Sequence, residues 1–400
     1  MFSKTGHYSV AYQGFLIHIH PHQATLKNNQ KLKFMKIMHA IGGETFGGVE
    51  SHFVRLVTAL HQSGLTQHVV MRHHPQRVAT LRAAGVTVTE APFQGFLDAK
   101  TRDILKQEAK AFAPDIVQSW MFQASRMMPV GDYIRLGWLR GFHHLEDYRY
   151  CDHLCALTKG IVSSIVAQGW PSERIHQVRP FAEATAGKVL HKSVYHTPQE
   201  APVILGLGRL HWHKAFDTVI QALTQIPDAY FWLAGDGEQK TDLENFAKSL
   251  GVFDRVRFLG WHEDQADLYA TADVCVLPSR YEPFGLVMIE AWAHQIPLVA
   301  TRAAGPRATA QDMVDALLVP IDDVDAFAEA IRRVLTDDVL RASLVANGLN
   351  HYKQDYTVAS TVAQYHRLYQ DILDHGPMIH RGLSRLGQIK DSLLALFLSK

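Results

Sequence analysis

In the stretch YEPFGLVMIEAW, Glu282 and Glu290 bracket seven residues that carry no charge. A carboxylate accepts two hydroxyl hydrogen bonds, so such a pair can hold two parts of one polyhydroxylated ligand, such as a ribose and a hexose. The flanking sequence, DVCVLPSRYEPFGLVMIEAWAHQIPLVAT, parses as strand, loop, helix and strand. Pro283 suits the first turn of a helix, and Gly285 keeps that turn open to close backbone approach. The pattern predicts a helix from about residue 283 to His294, its free N–H groups forming an anion site near Phe284, Gly285 and Leu286. Taken alone, the pair is better explained as a surface glutamate beside a capping glutamate, because so short a motif recurs by chance.

Upstream, PVILGLGRLHWHKAFDTVIQAL has a strand, the turn Gly206–Gly208, then Arg209 and Lys214 ahead of a helix. As a dinucleotide fingerprint it fails, because position 211 is His where a third glycine belongs. As a diphosphate clamp it does better, since Arg209 can fork two phosphate oxygens and Lys214 adds a point charge; the alternative is two solvated basic residues, common at loop ends. In GGETFGGVE, Gly47 and Gly48 precede a helix. The Lys-Ser/Thr of a nucleotide P-loop is missing, which excludes ATP hydrolysis of that kind and leaves a substrate-approach loop or a plain tight turn. WLRGFHHLEDY is expected to bring His143 and His144 to the end of a strand, where a histidine could meet a sugar hydroxyl. The histidine-rich pieces and CDHLC (Cys151, His153, Cys155) lack a firm ligand pattern, so no metal site is expected. No Ser-His-Asp or Gly-x-Ser-x-Gly arrangement is present.

Short apolar runs alternate with helical patterns from Phe34 onward, which argues for parallel sheets with helices on both faces. Strands are expected in FMKIMHAI, HVVMR, VTVTE, DIVQSW, WLRGFHH and HLCALT. A second series comprises PVILGLG, AYFWLAG, RVRFLG, DVCVLPS, PLVAT and ALLVP. The small, polar stretch at 181–201 separates them. The organisation expected is an extension at 1–34, a Rossmann-like domain at 35–180, a linker at 181–201, a second such domain at 202–350, a helix at 351–375 and a tail at 376–400. Ligands of open parallel sheets sit beyond the carboxyl ends of the strands, so two such domains make a cleft lined by loops from both.

A chain of 400 residues allows two packed domains. A net charge of +1 provides no overall field for nucleic acid. Three cysteines favour a reducing compartment over a disulfide framework. No apolar run reaches the roughly 20 residues that span a bilayer. The tail carries Arg381, Arg385 and Lys390 beside LLALFL and is amphipathic. It either packs on the body of the protein or makes a peripheral membrane contact.

Together, GLGRLHWHKAFDTVIQA, GDG at Gly235–Gly237, RVRFLGW, ADVCVLPS, YEPFGLVMIEAWAHQIPLVAT and AAGPRA resemble the retaining family 4, or group 1, glycosyltransferases with the α/β GT-B fold. The resemblance spans about residues 35–375. It implies a nucleoside diphosphate sugar donor and a glycan or glycolipid acceptor, as in cell-envelope or lipopolysaccharide-type synthesis. It further implies transfer with retention, no metal or other cofactor, and a cytoplasmic enzyme. Arg209 and Lys214, with Gly208, would hold the diphosphate. Glu282 and the backbone at Phe284, Gly285 and Leu286 would meet the transferred sugar, and Glu290 the ribose. Gly47 and Gly48 would shape the acceptor side, and His143 would stand beside the donor sugar. The family often has Lys-Gly where this chain has Lys214-Ala215. Its Pro-Asn-Gly-Val-Asp is replaced here by the Arg-Pro-Phe-Ala of residues 179–182. Two alternatives are a nucleotide-sugar epimerase of the same fold and an inactive sugar-nucleotide-binding subunit.

Overall fold

A computed structural model describes residues 35–43, 48–95, 98–262 and 264–378. The sequence readings for residues 1–34, Gly47 and most of the tail therefore lie outside the described residues.

Thirteen strands are described: β1 Lys36–Ile41, β2 Thr66–Met71, β3 Thr87–Glu90, β4 Ile116–Trp120, β5 Ile134–Leu139, β6 His153–Ala156, β7 Ile175–Gln177, β8 Val203–Leu207, β9 Tyr230–Ala234, β10 Val256–Gly260, β11 Val274–Leu277, β12 Leu298–Thr301 and β13 Leu317–Val319. They form two parallel sheets, ordered β3-β2-β1-β4-β5-β6-β7 and β10-β9-β8-β11-β12-β13. The two orders match strand for strand up to β7. In each, the chain reverses direction across the sheet beside its first strand, between β1 and β4 and between β8 and β11. That switch point is where a parallel sheet opens a crevice for ligand. The central strands β4, β8, β11 and β12 are buried at every residue. Continuous apolar runs such as VILGL and VCVL are the expected sequence of strands covered on both faces.

Helices flank both sheets. The Gly48–Gln62 helix buries Phe53, Leu56, Val57 and Leu60 and stops at Gly64, whose φ of +99° no helix accommodates. The linker is not loose: Lys188 N–H donates to Asp267 Oδ1 at 2.6 Å and Leu190 N–H to Thr271 Oγ1 at 2.8 Å, tying it along the second unit.

The helix expected at 351–375 needs correction. Residues 351–355 finish the Asp338–Asp355 helix, and a separate helix runs Val358–His375. The break has two causes. The Tyr356 carbonyl turns away to accept the Ala182 amide at 3.1 Å. The Thr357 hydroxyl then caps the next helix by accepting from Ser360 N–H at 3.1 Å. This last helix crosses back to the first unit, where Tyr369 Oη donates to Gln118 Oε1 at 2.6 Å and His366 Nε2 meets Ser63 Oγ at 2.7 Å. Among the described residues no helix is long and apolar enough to cross a membrane.

Candidate functional site

The site is built at the carboxyl ends of β8 and β11. After β8 the chain makes a short 3-10 turn, Trp212–Lys214, braced where His211 Nδ1 accepts the His213 N–H at 3.0 Å. The Lys214 stem lies beside Gly208, 3.6 Å from where a Cβ would stand. Ala215 follows at φ +52°, the left-handed region that favours glycine. The Lys-Gly of the resembling family thus has a backbone reason here, and Ala215 holds the same turn at some strain.

After β11, Glu282 is folded back into the protein and is 8% exposed. Lys214 Nζ donates to Glu282 Oε2 at 2.5 Å and Ser279 Oγ donates to the same oxygen at 3.3 Å. The Glu282 carbonyl accepts the Gly305 amide at 2.7 Å. Gly305 is required there, because a Cβ would collide with the Phe284 carbonyl oxygen. The helix predicted from about 283 begins instead at Leu286 and ends at Ala293. Gly285 stands before it at φ +97°, a conformation outside the helical region, so Pro283 belongs to the loop. No side chain caps the first turn. The Phe284 ring is buried.

Glu290 lies about one turn into this helix, half-buried, where Tyr269 Oη donates to its Oε2 at 3.2 Å. Burial raises its carboxyl pKa, while Arg55, the Tyr269 hydroxyl and Lys214 act in the opposite sense. Lys214 therefore bears on both glutamates. Glu290 also lines a cleft of about 410 Å³ between the two units, shared with Arg55, Arg77, Trp261, Tyr269 and His294. Arg55 comes from the Gly48–Gln62 helix of the first unit and pairs with Glu183 of the linker at 3.6 Å. Sequence reasoning missed Arg55 and Tyr269. The one available signal is that Arg55 falls a turn after Ser51 and a turn before Thr58, a polar line that faces away from Phe53, Leu56 and Leu60.

Two expected residues stand differently from the reading above. Arg209 is exposed, and its Nε and Nη2 donate to Glu238 Oε2 at 3.2 and 3.1 Å, in the loop after β9. It shares the Lys214 loop without touching the Lys214–Glu282 pair. His143 does not end a strand: β5 stops at Leu139, and His143 lies in the loop beyond. It is half-buried, and burial together with Arg140 lowers its pKa against the pull of Asp147. The His143 loop nevertheless reaches the Glu282 loop, since a Cβ on Gly141 would stand 3.2 Å from Tyr281 Oη and 3.3 Å from Pro283 Cγ. Gly48 opens its helix at the first unit's switch point. Among the described residues no group of three or more His, Cys, Asp or Glu side chains is placed to hold a metal ion.

Residues 201–337 match a family model described as glycosyl transferases group 1. Over 327 residues the chain is 34% identical to the lipopolysaccharide core biosynthesis glycosyltransferase LpsE of Rhizobium meliloti (strain 1021), covering 78% of this chain and 93% of that protein. The glycosyltransferase LpsD of the same organism, described in the same words, is 32% identical and covers 86% of this chain and 99% of its own length. The chain belongs to the group 1 glycosyltransferases. Solved structures agree on the fold. HepE of Anabaena, in complex with UDP and glucose, aligns with a TM-score of 0.74 at 19% identity, over 84% of this chain and 100% of that one. WaaG, a glycosyltransferase involved in lipopolysaccharide biosynthesis, aligns with a TM-score of 0.66 at 16% identity, over 84% and 99%. This group 1 glycosyltransferase thus has the two-domain α/β GT-B fold.

Proposed function

We propose that this glycosyltransferase moves a hexose-type sugar from a nucleoside diphosphate sugar to a hydroxyl of a glycan or glycolipid acceptor in lipopolysaccharide core assembly, with retention at the anomeric carbon. The observation that carries the reading is Lys214, bonded to Glu282 at 2.5 Å and acting on Glu290 from the carboxyl ends of β8 and β11. In this arrangement the donor diphosphate lies along Lys214, the first turn of the Leu286–Ala293 helix and Arg209 swung from Glu238. Glu290 accepts from the ribose hydroxyls and Glu282 from those of the transferred sugar.

The bond between the anomeric carbon and the diphosphate oxygen breaks, and that oxygen gains negative charge. Lys214, Arg209 and the helix N-terminus stabilise the charge where it develops. The acceptor oxygen bonds to the anomeric carbon on the face that the diphosphate leaves, and its proton passes to the departing phosphate oxygen. His143, in the loop that meets the Glu282 loop, stands on the donor-sugar side. Its lowered pKa keeps it a neutral hydrogen-bonding group near pH 7. Because protein groups supply the positive charge, the reaction is proposed to need no metal ion. The names of the two Rhizobium relatives support the place in core assembly, and the UDP bound in HepE supports a nucleotide sugar as donor.

The test is incubation with a panel of nucleoside diphosphate sugars and a core-oligosaccharide acceptor, with and without EDTA. Proton NMR of the first product formed reads the anomeric configuration. Retention with turnover unchanged by EDTA is expected. An inverted product, loss of turnover in EDTA, or donor isomerisation without transfer would each overturn the corresponding part.

A further inference from the structure

Three large aromatic side chains remain exposed at one edge of the site: Trp212 at 50%, Tyr281 at 42% and Phe142 at 40%. They are not scattered. The Trp212 ring meets His213 edge-on at 4.6 Å, and His213 lies 5.3 Å from Tyr281. Tyr281 Oη in turn abuts Gly141, and the ring of the next residue, Phe142, reaches toward Gly160, its Cζ 3.9 Å from where a Cβ there would stand. The run therefore crosses from one domain to the other, its two ends carried by the loops that bear Lys214 and His143.

The anchoring is firm. Arg280 Nη1 donates to the Trp212 carbonyl at 3.0 Å, and the same guanidinium pairs with Asp217 at 2.6 Å and Asp322 at 2.7 Å. The Arg280 amide donates to the His213 carbonyl at 2.8 Å. Trp212, His213 and Tyr281 form a contiguous, braced row with Phe142 exposed beyond Gly141, and exposed aromatics so arranged mark a binding surface.

We infer that this row is the acceptor subsite, and that it takes the pyranose rings of an oligosaccharide next to the ring that receives the new sugar. The chemistry fits one occupant. A pyranose presents an apolar C–H face to an aromatic plane and a rim of hydroxyls to polar neighbours. Here the rings of Trp212 and Tyr281 flank the imidazole of His213, and Phe142 lies beyond Gly141. The row adjoins Glu282, where the donor sugar is placed, so an oligosaccharide lying on it brings its end to the reacting carbon. The inference rests on the glycosyl-transfer reading above. It adds that Trp212 and Phe142 set the preference for an extended acceptor over a single sugar, without acting on the donor.

The experiment uses the full chain with the deacylated core oligosaccharide of a rough lipopolysaccharide as probe, and a methyl glycoside as the single-ring control. Trp212→Ala and Phe142→Ala alter exposed rings, so both variants are expected to melt like the parent. Each should raise the acceptor KM for the oligosaccharide at least tenfold. The KM for the methyl glycoside and the slow hydrolysis of donor without acceptor should stay within twofold. Trp212→Phe, which keeps a ring face, should recover most of the loss. Isothermal titration with the oligosaccharide alone reads the subsite apart from catalysis. If no donor is turned over but the oligosaccharide binds and Trp212→Ala abolishes binding, the transfer reading fails and the subsite stands. An oligosaccharide KM within twofold of the parent in Trp212→Ala overturns the subsite, as does an equal loss of donor hydrolysis.

Discussion

Removing Lys214 should separate stability from activity. Its ammonium lies 2.5 Å from Glu282 Oε2, with the lysine side chain 26% exposed and the glutamate side chain 10% exposed. Over that distance the gross Coulomb attraction is about 7 kcal/mol at an effective dielectric of about 20, and about 2 kcal/mol at the value for water. The lysine is open to solvent, and both ions are partly desolvated, so the net coupling should fall near the lower figure, about 2 kcal/mol. Lys214→Met leaves Glu282 buried with only the Ser279 hydroxyl as a side-chain partner, and it should lose about that amount. Glu282→Gln should lose less, because an amide still accepts from Lys214. The double variant should be more stable than the sum of the single losses predicts, since no unpaired charge remains. Transfer should not follow the same pattern: Lys214→Met and the double variant should both fall about a hundredfold or more in kcat/KM, for want of the charge at the leaving diphosphate. Urea unfolding of the four proteins, with initial rates on the same preparations, is the assay. Additive stabilities within about 0.5 kcal/mol, or wild-type transfer by Lys214→Met, would refute the reasoning.

Three further outcomes are expected. Gly305→Ala drives a Cβ against the Phe284 carbonyl and should cost about 2 kcal/mol, with a loss of transfer as the Glu282 loop shifts; thermal melts and initial rates read both. Ala215→Gly relieves a left-handed alanine worth about 1–2 kcal/mol at the expense of a buried methyl worth about 0.8 kcal/mol, so urea melts should show a small gain in stability. Burial holds the His39 and His52 imidazoles down to about 4 and about 3, so both stay neutral in the folded chain and gain protons on unfolding between pH 6.5 and 4. Stability should be full above pH 6.5 and fall as the pH drops toward 4, by about 3 kcal/mol for His39. Denaturant melts should show a shallower fall in His39→Gln.

Much of the fold is legible in the sequence because buried parallel strands write themselves as short apolar runs. VILGL, YFWLA, VCVL and LVAT each became a strand where expected. β7 escaped notice because IHQ is three residues long, with two of them only half-buried. The helix start moved from 283 to 286 because Pro283 and Gly285 fit equally well in a first turn or a preceding loop, and the φ of Gly285 decides between them. The break after Asp355 depends on the Ala182 amide, which is far away in sequence and cannot be read locally. The same limit applies to the site. Glu282, Lys214 and Glu290 announce themselves by type and spacing within one domain. Arg55 bears on Glu290 only because the first domain lies across the cleft, and the pairing of Arg209 with Glu238 depends on two loops after adjacent strands.

The most direct test of the donor site is a crystal structure of the chain with the nucleoside diphosphate sugar that raises its melting temperature most. The account predicts the diphosphate on Lys214 and the first turn of the Leu286–Ala293 helix, ribose hydroxyls on Glu290 and the sugar against Glu282. A donor bound elsewhere, with the Lys214–Glu282 pair intact and Glu290 untouched, would contradict it.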